Sequence, residues 1–208
     1  MPNPSESQPI TLIGAGGHAR VAAACARRAG LVIGAVLDAD PDRIGQTVGG
    51  VVVEIDDQRG EGVFHLAIGS NRTRRDLALV RPGADWGTII DPHASLADDA
   101  GCEVGVLIGM GARIQTGAWL GRHVIVNTGA IVEHDSVVGD FAHIAPGSIL
   151  TGGVRIGEGV LIGAGAVILP GLEVGDWAVV GAGAVVTRPV EAGETVVGAP
   201  ARLVEVRR

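Results

Sequence analysis

The second half of this 208-residue chain repeats with a period of six residues. A period of six is neither the 3.6 of a helix nor the 2 of a strand, so it excludes both as the organising pattern. It is typical of a hexapeptide-repeat parallel β-helix, in which each short face sends one aliphatic side chain inward. We therefore expect three inner columns, whose members lie eighteen residues apart and stack at roughly 4.8 Å. The seventeen predicted inward positions are Ile90, Leu96, Cys102, Ile108, Ile114, Leu120, Val126, Val132, Val138, Ile144, Leu150, Ile156, Ile162, Ile168, Val174, Val180 and Val186.

Composition agrees with such a coil and excludes several functions. Gly occurs 34 times and aromatic residues make up only 2%, as expected for a narrow prism filled by aliphatic side chains. The chain has no lysine, which excludes Schiff-base chemistry and a phosphate-binding loop of the lysine type. A net charge of −7 gives no basic surface for nucleic acid or for an anionic membrane.

The first part of the chain has a different pattern, with strands alternating with helices. This alternation predicts a small parallel sheet, and with about eighty residues it is half of a doubly wound dinucleotide-binding fold at most. We expect an α/β domain over residues 1–85 and an all-β domain over 86–208, whose tail caps the open end of the coil. Residues 10–19 are expected to form a strand that enters a glycine-rich turn. Further strands are expected at 31–40, 51–56 and 64–70, and helices at 18–30 and 73–80.

A glycine-rich turn follows the first predicted strand. The run from Gly14 to Ala19 matches the loose fingerprint G-x-G-x-x-G/A, and Asp38 ends the next predicted strand. Such a turn presents backbone amides to a phosphate at a helix N-terminus. Because the second half of a full dinucleotide domain is missing, the turn favours a nucleotide-bearing ligand more than NAD itself. His18 either contacts a phosphate or is an ordinary first-turn residue.

A second set of polar residues follows the sequence AIGS. These residues either reach the same phosphate or form a solvated helix face. They are Asn71, Arg72, Arg74 and Arg75.

The middle of the repeat carries a histidine followed by a carboxylate, His134 and Asp135. A carboxylate beside an imidazole is a general-base arrangement, because it fixes the tautomer of the ring. The spacing fits a surface histidine in a polar turn equally well. One coil further on lies Gly152, which would leave room for a ligand and expose a backbone N–H that could stabilise an oxyanion.

His143 lies nine residues beyond His134, which is half a coil. The two histidines should therefore lie on opposite sides of one prism, and they could share a site only across a subunit boundary. A solvated or interface histidine is the other interpretation of His143. The remaining histidines and the two cysteines, Cys25 and Cys102, show no metal-ligand spacing, so no metal is expected.

Nothing in the sequence indicates secretion or a membrane span. The N-terminus lacks a basic and apolar leader, and no uninterrupted apolar run reaches eighteen residues. A cytoplasmic location is therefore the expectation, without membrane or nucleic acid as partner.

Several motifs together resemble those of a known bacterial family. They are GAGGHA, AIGSNRTRRDL, DPHASL, VEHDSVVGDFAHIAPG and the terminal VVGAPAR, and they extend over nearly the whole chain. The chain resembles the sugar acetyltransferases of the sialic-acid O-acetyltransferase type, and more closely the nucleotide-sugar N-acetyltransferases of bacillosamine and perosamine synthesis.

The resemblance implies a left-handed parallel β-helix and a homotrimer with active sites between subunits. It implies acetyl-CoA as donor and the 4-amino group of a UDP- or GDP-linked amino-deoxysugar as acceptor. His134 would be the general base and Asp135 its basicity-raising partner. The positions implied to bind the nucleotide sugar are Gly16, Gly17, His18, Asp38 and Gly69, and those implied to contact acetyl-CoA are His143, Gly152 and Glu173.

Three alternatives stay open at this point. The same histidine could serve O-acetylation of sialic acid or a related sugar. The protein could be a nucleotide-sensing scaffold with an inactive prism, or a small NAD-dependent reductase supported by the glycine-rich turn alone.

Overall fold

The computed structural model describes residues 8–57 and 62–204. Its contacts divide the chain into two compact units, Met1–Pro92 and His93–Arg208. The domain boundary after residue 85 stays a prediction.

The first unit is a six-stranded sheet with two helices. Its sheet order is β3-β4-β2-β1-β5-β6, and every neighbouring pair is parallel except the β3–β4 hairpin, which the sequence analysis missed. This arrangement confirms the predicted half-Rossmann sheet. The elements are β1 (Ile10–Ile13), α1 (Gly17–Arg28), β2 (Ile33–Asp38), β3 (Thr47–Val48), β4 (Val51–Ile55), β5 (Val63–Leu66), α2 (Asn71–Leu79), β6 (Asp85–Trp86) and β7 (Ile89–Ile90).

Helix α1 packs through alanines and ends two residues before Gly30. Its buried face is formed by Ala19, Ala22, Ala23, Cys25 and Ala26, whose small side chains allow close packing. The helix ends at Arg28, and Gly30 follows with a left-handed φ of 76°. This conformation lets Leu31 N donate to Ala26 O at 2.9 Å, a common way to satisfy carbonyls at a helix C-terminus.

The second unit is the β-helix. Its strands are two residues long until the cap, and they form three parallel faces. The strands are β8 (Ser95–Leu96), β9 (Gly101–Cys102), β10 (Leu107–Ile108), β11 (Arg113–Ile114), β12 (Trp119–Leu120), β13 (Ile125–Val126), β14 (Ile131–Val132), β15 (Val137–Val138), β16 (His143–Ile144), β17 (Ile149–Leu150), β18 (Arg155–Ile156), β19 (Leu161–Ile162), β20 (Val167–Ile168), β21 (Glu173–Val174), β22 (Val179–Val180), β23 (Val185–Val186), β24 (Thr195–Val197) and β25 (Arg202–Leu203).

The three faces follow from an eighteen-residue pairing register. Face 1 contains β10, β13, β16, β19 and β22; face 2 contains β8, β11, β14, β17, β20 and β23; face 3 contains β9, β12, β15, β18 and β21. Typical pairs are Val126 with Ile144 and Val132 with Leu150, each separated by one coil. The predicted left-handed β-helix is confirmed.

The inward register is confirmed from Ile108 to Val186, where every predicted position is buried. Leu96 and Cys102 are only half-buried, although both pack against the core. The prediction for Ile90 is wrong, since this residue is 37% exposed while Ile89 is fully buried. Neighbours in a strand face opposite sides, so the packing of Ile89 in β7 turns Ile90 outward.

A second inward position in each hexad was missed by the sequence analysis. It lies two residues before the aliphatic one and is filled mostly by alanine or valine, which the narrow interior accommodates. The core therefore contains two residues from each hexad. Its fully buried members include Val106, Ala112, Ala118, Val124, Ala130, Ser136, Ala142, Ser148, Val154, Val160, Ala166, Ala178 and Ala184.

Each corner of the coil passes through a left-handed backbone conformation. It recurs at fourteen positions spaced six residues apart, from Gly105 to Gly183, and glycine occupies ten of them. Glycine adopts a positive φ without steric cost, whereas other residues rarely do so. The four exceptions are His123, Asp135, Phe141 and Trp177.

The C-terminal segment closes the open end of the coil. Strand β24 extends face 1 by pairing in parallel with β22, and β25 then pairs antiparallel with β24. Val190, Val196 and Ala201 join the hydrophobic core. A reversed last strand ends the regular parallel edge, which limits edge-to-edge association.

Candidate active site

His134 and Asp135 lie at the corner between faces 2 and 3, after β14 and before β15. Their side chains are 57% and 74% exposed, and His134 Nδ1 lies 2.9 Å from Asp135 Oδ2. Because a carboxylate can only accept a hydrogen bond, Nδ1 carries the hydrogen in the neutral ring. The lone pair is therefore on Nε2, which is the atom a general base needs free.

The backbone holds Asp135 in an unusual conformation. Its φ is 57°, at a corner position where most hexads have glycine. A non-glycine residue there costs on the order of 1 kcal/mol, and such strain is found most often at functional sites. Asp135 N donates to Thr116 O at 3.1 Å, which ties this corner to the coil before it. The carboxylate that orients His134 is thus fixed by the backbone.

Gly152 lies one coil beyond His134 at the same corner. A Cβ added to Gly152 would lie 2.6 Å from Cε1 of His134, and closer still to Nε2. The expectation that Gly152 leaves room for a ligand is therefore corrected: the imidazole itself occupies that space. An alanine would collide with the ring because one coil is only about 4.8 Å high.

The backbone N–H of Gly152 donates no hydrogen bond to any described residue. Equivalent amides at another corner are satisfied: Arg122 N donates to Asp140 Oδ1 and Glu158 N to Asp176 Oδ1, both at 2.8 Å. The amide beside the imidazole is thus available to a ligand, as an oxyanion donor must be.

The other two predicted acetyl-CoA residues are not at this corner. His143 lies in β16 on face 1, and Asn127 Nδ2 lies 3.1 Å from its Nε2. Glu173 lies in β21 on face 3 with an exposed side chain, and its carbonyl accepts from Val190 N at 3.0 Å. One chain therefore brings Gly152 to His134 but leaves His143 on a different face. The sequence did not predict Asn127 as the hydrogen-bonding neighbour of His143, although Asn127 directly follows the inward Val126.

All five predicted nucleotide-sugar positions of the first unit line one cleft, of about 290 Å³. It is located where β1, β2 and β5 end and α1 begins, at the carboxyl edge of the parallel strands. Ligands of open α/β sheets bind at this edge. The five residues are Gly16, Gly17, His18, Asp38 and Gly69.

Asp38 is already engaged with the glycine-rich turn. Its Oδ2 accepts from Ala15 N at 2.6 Å, and its Oδ1 accepts from Asp40 N at 2.9 Å. Asp38 therefore shapes the glycine-rich turn, in addition to lining the cleft.

Arg43 and Asp40 also line this cleft, and the sequence analysis did not single them out. They belong to the turn that directly follows β2, with Arg43 Nε donating to Asp40 Oδ2 at 3.0 Å. Backbone N–H donation from Asp42 and the bond from Arg43 lower the pKa of Asp40. The available signal was the sequence D-P-D-R, a charged turn after a parallel strand.

Both interpretations of Arg74 are wrong, because the residue neither faces solvent nor has its guanidinium free for a phosphate. Its side chain is 1% exposed, and Nη1 donates to the carbonyls of Ile68 and Gly69 at 3.0 and 3.4 Å. Burial lowers its pKa to about 9. Arg74 instead holds the loop that places Gly69 in the cleft.

Within residues 8–57 and 62–204, no group of three or more His, Cys, Asp or Glu side chains could hold a metal ion. Over the same residues, no helix is both long and apolar enough to cross a membrane.

Two family models match the chain. The PglD N-terminal domain matches residues 9–79, and the bacterial transferase hexapeptide repeat matches residues 153–188. No curated protein matches with significance.

Solved structures match over nearly the full length. A variant of perosamine N-acetyltransferase from Caulobacter crescentus, in complex with CoA and GDP-perosamine, has 34% identity and a TM-score of 0.89, with 96% of this chain and 99% of that chain covered. The acetyltransferase domain of PglB from Neisseria gonorrhoeae FA1090, in complex with acetyl coenzyme A, has 34% identity, a TM-score of 0.87 and coverage of 94% and 98%. WeeI from Acinetobacter baumannii AYE has 27% identity, a TM-score of 0.82 and coverage of 94% and 99%.

Proposed function

This chain belongs to the hexapeptide-repeat sugar N-acetyltransferases with a PglD-type N-terminal domain, and from that premise we propose that it acetylates the 4-amino group of a UDP- or GDP-linked amino-deoxysugar. The enzyme is an acetyltransferase with acetyl-CoA as donor. The nucleotide-sugar acceptor is supported by the relative that binds GDP-perosamine and by the cleft at the glycine-rich turn.

One observation carries the proposed chemistry: His134 is exposed, with Nδ1 bound to Asp135 and the lone pair on Nε2. In the proposed reaction, Nε2 takes a proton from the sugar amine as its nitrogen attacks the thioester carbonyl. Asp135 stabilises the imidazolium that forms. The N–H of Gly152 donates to the developing oxyanion. The carbon–sulfur bond then breaks, and CoA leaves as the thiolate.

Direct transfer is favoured over an acyl-enzyme because neither cysteine suits a nucleophile. Cys25 is buried on α1, and burial raises the pKa of the half-buried Cys102. A thiol becomes reactive as the thiolate, which a raised pKa disfavours. The transfer then needs one base and one oxyanion donor, both at a single corner of the coil.

We extend the proposal to a homotrimer whose subunits share the site. His143 lies on face 1 and the corner of His134 lies opposite it, between faces 2 and 3, so one chain cannot place both on the same ligand. His143, Gly152 and Glu173 would contact acetyl-CoA, with His143 supplied by a neighbouring subunit. Light scattering should give about three times 21 kDa, and a stable monomer with full activity would contradict the shared site.

The proposed location is the cytoplasm, and a periplasmic pool on cell fractionation would contradict it.

The test is acetyl-CoA-dependent thiol release on a panel of acceptors. The panel contains UDP- and GDP-linked 4-amino-6-deoxysugars, free sialic acid and serine. Release with one nucleotide amino sugar is expected and would identify the nucleotide. Release with sialic acid alone would move the assignment to O-acetylation.

Variants then test the base. His134→Asn should lower kcat by about 10²- to 10⁴-fold, the usual contribution of a general base, while acetyl-CoA still binds. Asp135→Asn should lower kcat less, because the base remains but loses its orientation. The matched control is His93→Asn at an exposed histidine of the same unit, which should keep wild-type activity. Full activity of His134→Asn would refute the base assignment.

A further inference from the structure

Arg43 ends the short 3₁₀ turn Pro41–Arg43 that directly follows β2. Asp40 precedes the turn and caps it, since its Oδ1 accepts from Asp42 N at 3.0 Å. The other oxygen of Asp40 accepts from Arg43 Nε at 3.0 Å. The guanidinium is therefore held at Nε by a side chain of its own turn, which limits its freedom before any ligand arrives.

The other end of the guanidinium lies over the glycine-rich turn. A Cβ added to Gly16 would lie 2.7 Å from Arg43 Nη1 and 3.8 Å from Nη2. Neither of these two nitrogens donates a hydrogen bond to a described residue. Arg43 thus presents two N–H donor groups, Nη1 and Nη2, within the cleft beside Gly16.

The surroundings of this pair favour an anion. Helix α1 begins at Gly17 and has no acidic residue in its first turn. Its first N–H groups lack partners within the helix and carry partial positive charge. Among the described residues, the nearest carboxylates are those of Asp40 and Asp38, the latter with Oδ2 at 3.9 Å from Arg43 Nε. Both lie on the Nε side, so the Nη atoms are left to a ligand.

We propose that Arg43 binds the diphosphate of the nucleotide sugar through Nη1 and Nη2, and that it makes this cleft select nucleoside diphosphates over monophosphates. The inference rests on the proposed nucleotide-sugar function and assigns a residue to it. Arginine suits this role because its planar fork matches two phosphate oxygens, which the single ammonium of lysine does not. Asp40 is then a positioning residue that keeps the fork aimed at the phosphates.

The experiment is calorimetric titration of UDP, GDP, UMP and GMP into the wild-type protein and three variants. Arg43→Ala should weaken nucleoside diphosphate binding by about 10- to 100-fold, as expected for loss of a charge-assisted hydrogen bond pair. Its preference for diphosphate over monophosphate should fall toward one. Arg43→Lys should recover only part of the affinity. Arg27→Ala removes the same charge from the exposed last turn of α1 and should bind as wild type does.

Steady-state kinetics supply a second readout. In Arg43→Ala, KM for the nucleotide sugar should rise while KM for acetyl-CoA and kcat stay within about twofold. Unchanged diphosphate binding in Arg43→Ala, with tight binding in the wild type, would overturn the role of Arg43. If the wild type binds no nucleotide at all, the proposed acceptor class is wrong instead, so the two failures are distinguishable.

Discussion

Replacing Gly152 by alanine should remove activity while leaving the fold intact. The new methyl group would lie 2.6 Å from Cε1 of His134 and closer to Nε2, whereas ordinary contacts begin at 3.4 Å. The ring must therefore move by roughly 1 Å, which breaks its 2.9 Å contact with Asp135. A displacement of this size costs about 10²-fold in rate, and complete loss of the base costs up to about 10⁴-fold.

Stability should change little in this variant. Gly152 has no left-handed φ, so alanine introduces no backbone strain. The side chain of His134 is 57% exposed and can swing into solvent. We expect the free energy of unfolding to change by less than about 1 kcal/mol, as for most exposed substitutions. Denaturant unfolding and thiol release, measured on the same preparation, check the two halves of this prediction.

The control variant is Gly181→Ala, at another corner of the coil. Its Cβ would lie 2.7 Å from the tip of the exposed Val197, a collision of the same kind without a histidine. It should keep activity within about twofold.

A double variant tests whether the loss of activity in Gly152→Ala is caused by displacement of the His134 ring or by an independent effect. If Gly152 acts through the ring, adding Gly152→Ala to His134→Asn should cause no further loss, because the two changes remove one interaction. Full activity of Gly152→Ala, or a multiplicative loss in the double variant, would refute the reasoning.

Three further predictions concern the core, a buried histidine and the cleft loop. Val132→Asp places a charge in the fully buried column and should cost at least about 4 kcal/mol by thermal unfolding; unchanged stability would contradict the inward register. Burial lowers the pKa of His65 to about 4 from its usual 6.5, so the unfolded chain binds the proton first and stability should fall by up to about 3 kcal/mol as pH drops from 6.5 to 4. His65→Gln should flatten this fall in acid titration, and an unchanged fall would contradict the assignment to His65. Arg74→Met should raise KM for the nucleotide sugar about tenfold by releasing the carbonyls of Ile68 and Gly69, with KM for acetyl-CoA unchanged.

The sequence was sufficient for the architecture because the repeat is local. A sustained spacing of six between hydrophobic residues predicts the coil, and the register from Ile108 onward follows from that spacing. The second inward position of each hexad, which is occupied by small residues, has the same period of six in the sequence but was not predicted. The prediction for Ile90 was wrong because Ile90 is the first position of the repeat. Burial at the first coil depends on tertiary packing and not on the six-residue period.

The site was only partly predictable. His134 next to Asp135 is a sequence feature, as are the glycines of the first turn and Asp38. The interpretation of Arg74 failed because a charge on a helix is assumed to face solvent, and only the packed structure shows its guanidinium bound to carbonyls. Arg43 was not predicted as a site residue, because residues of a charged turn show no periodic pattern in the sequence.

The sequence by itself determined the coil, its eighteen-residue stacking and the half-Rossmann sheet, since these follow from periodic burial and from turn residues. The tertiary structure alone decided which polar atoms are used and which are free. It placed the ring of His134 over Gly152, left the N–H of Gly152 without a partner among the described residues and turned the Nη atoms of Arg43 over Gly16. The reason is physical: periodicity constrains which side chains are buried, whereas hydrogen bonding depends on distances between residues far apart in the chain.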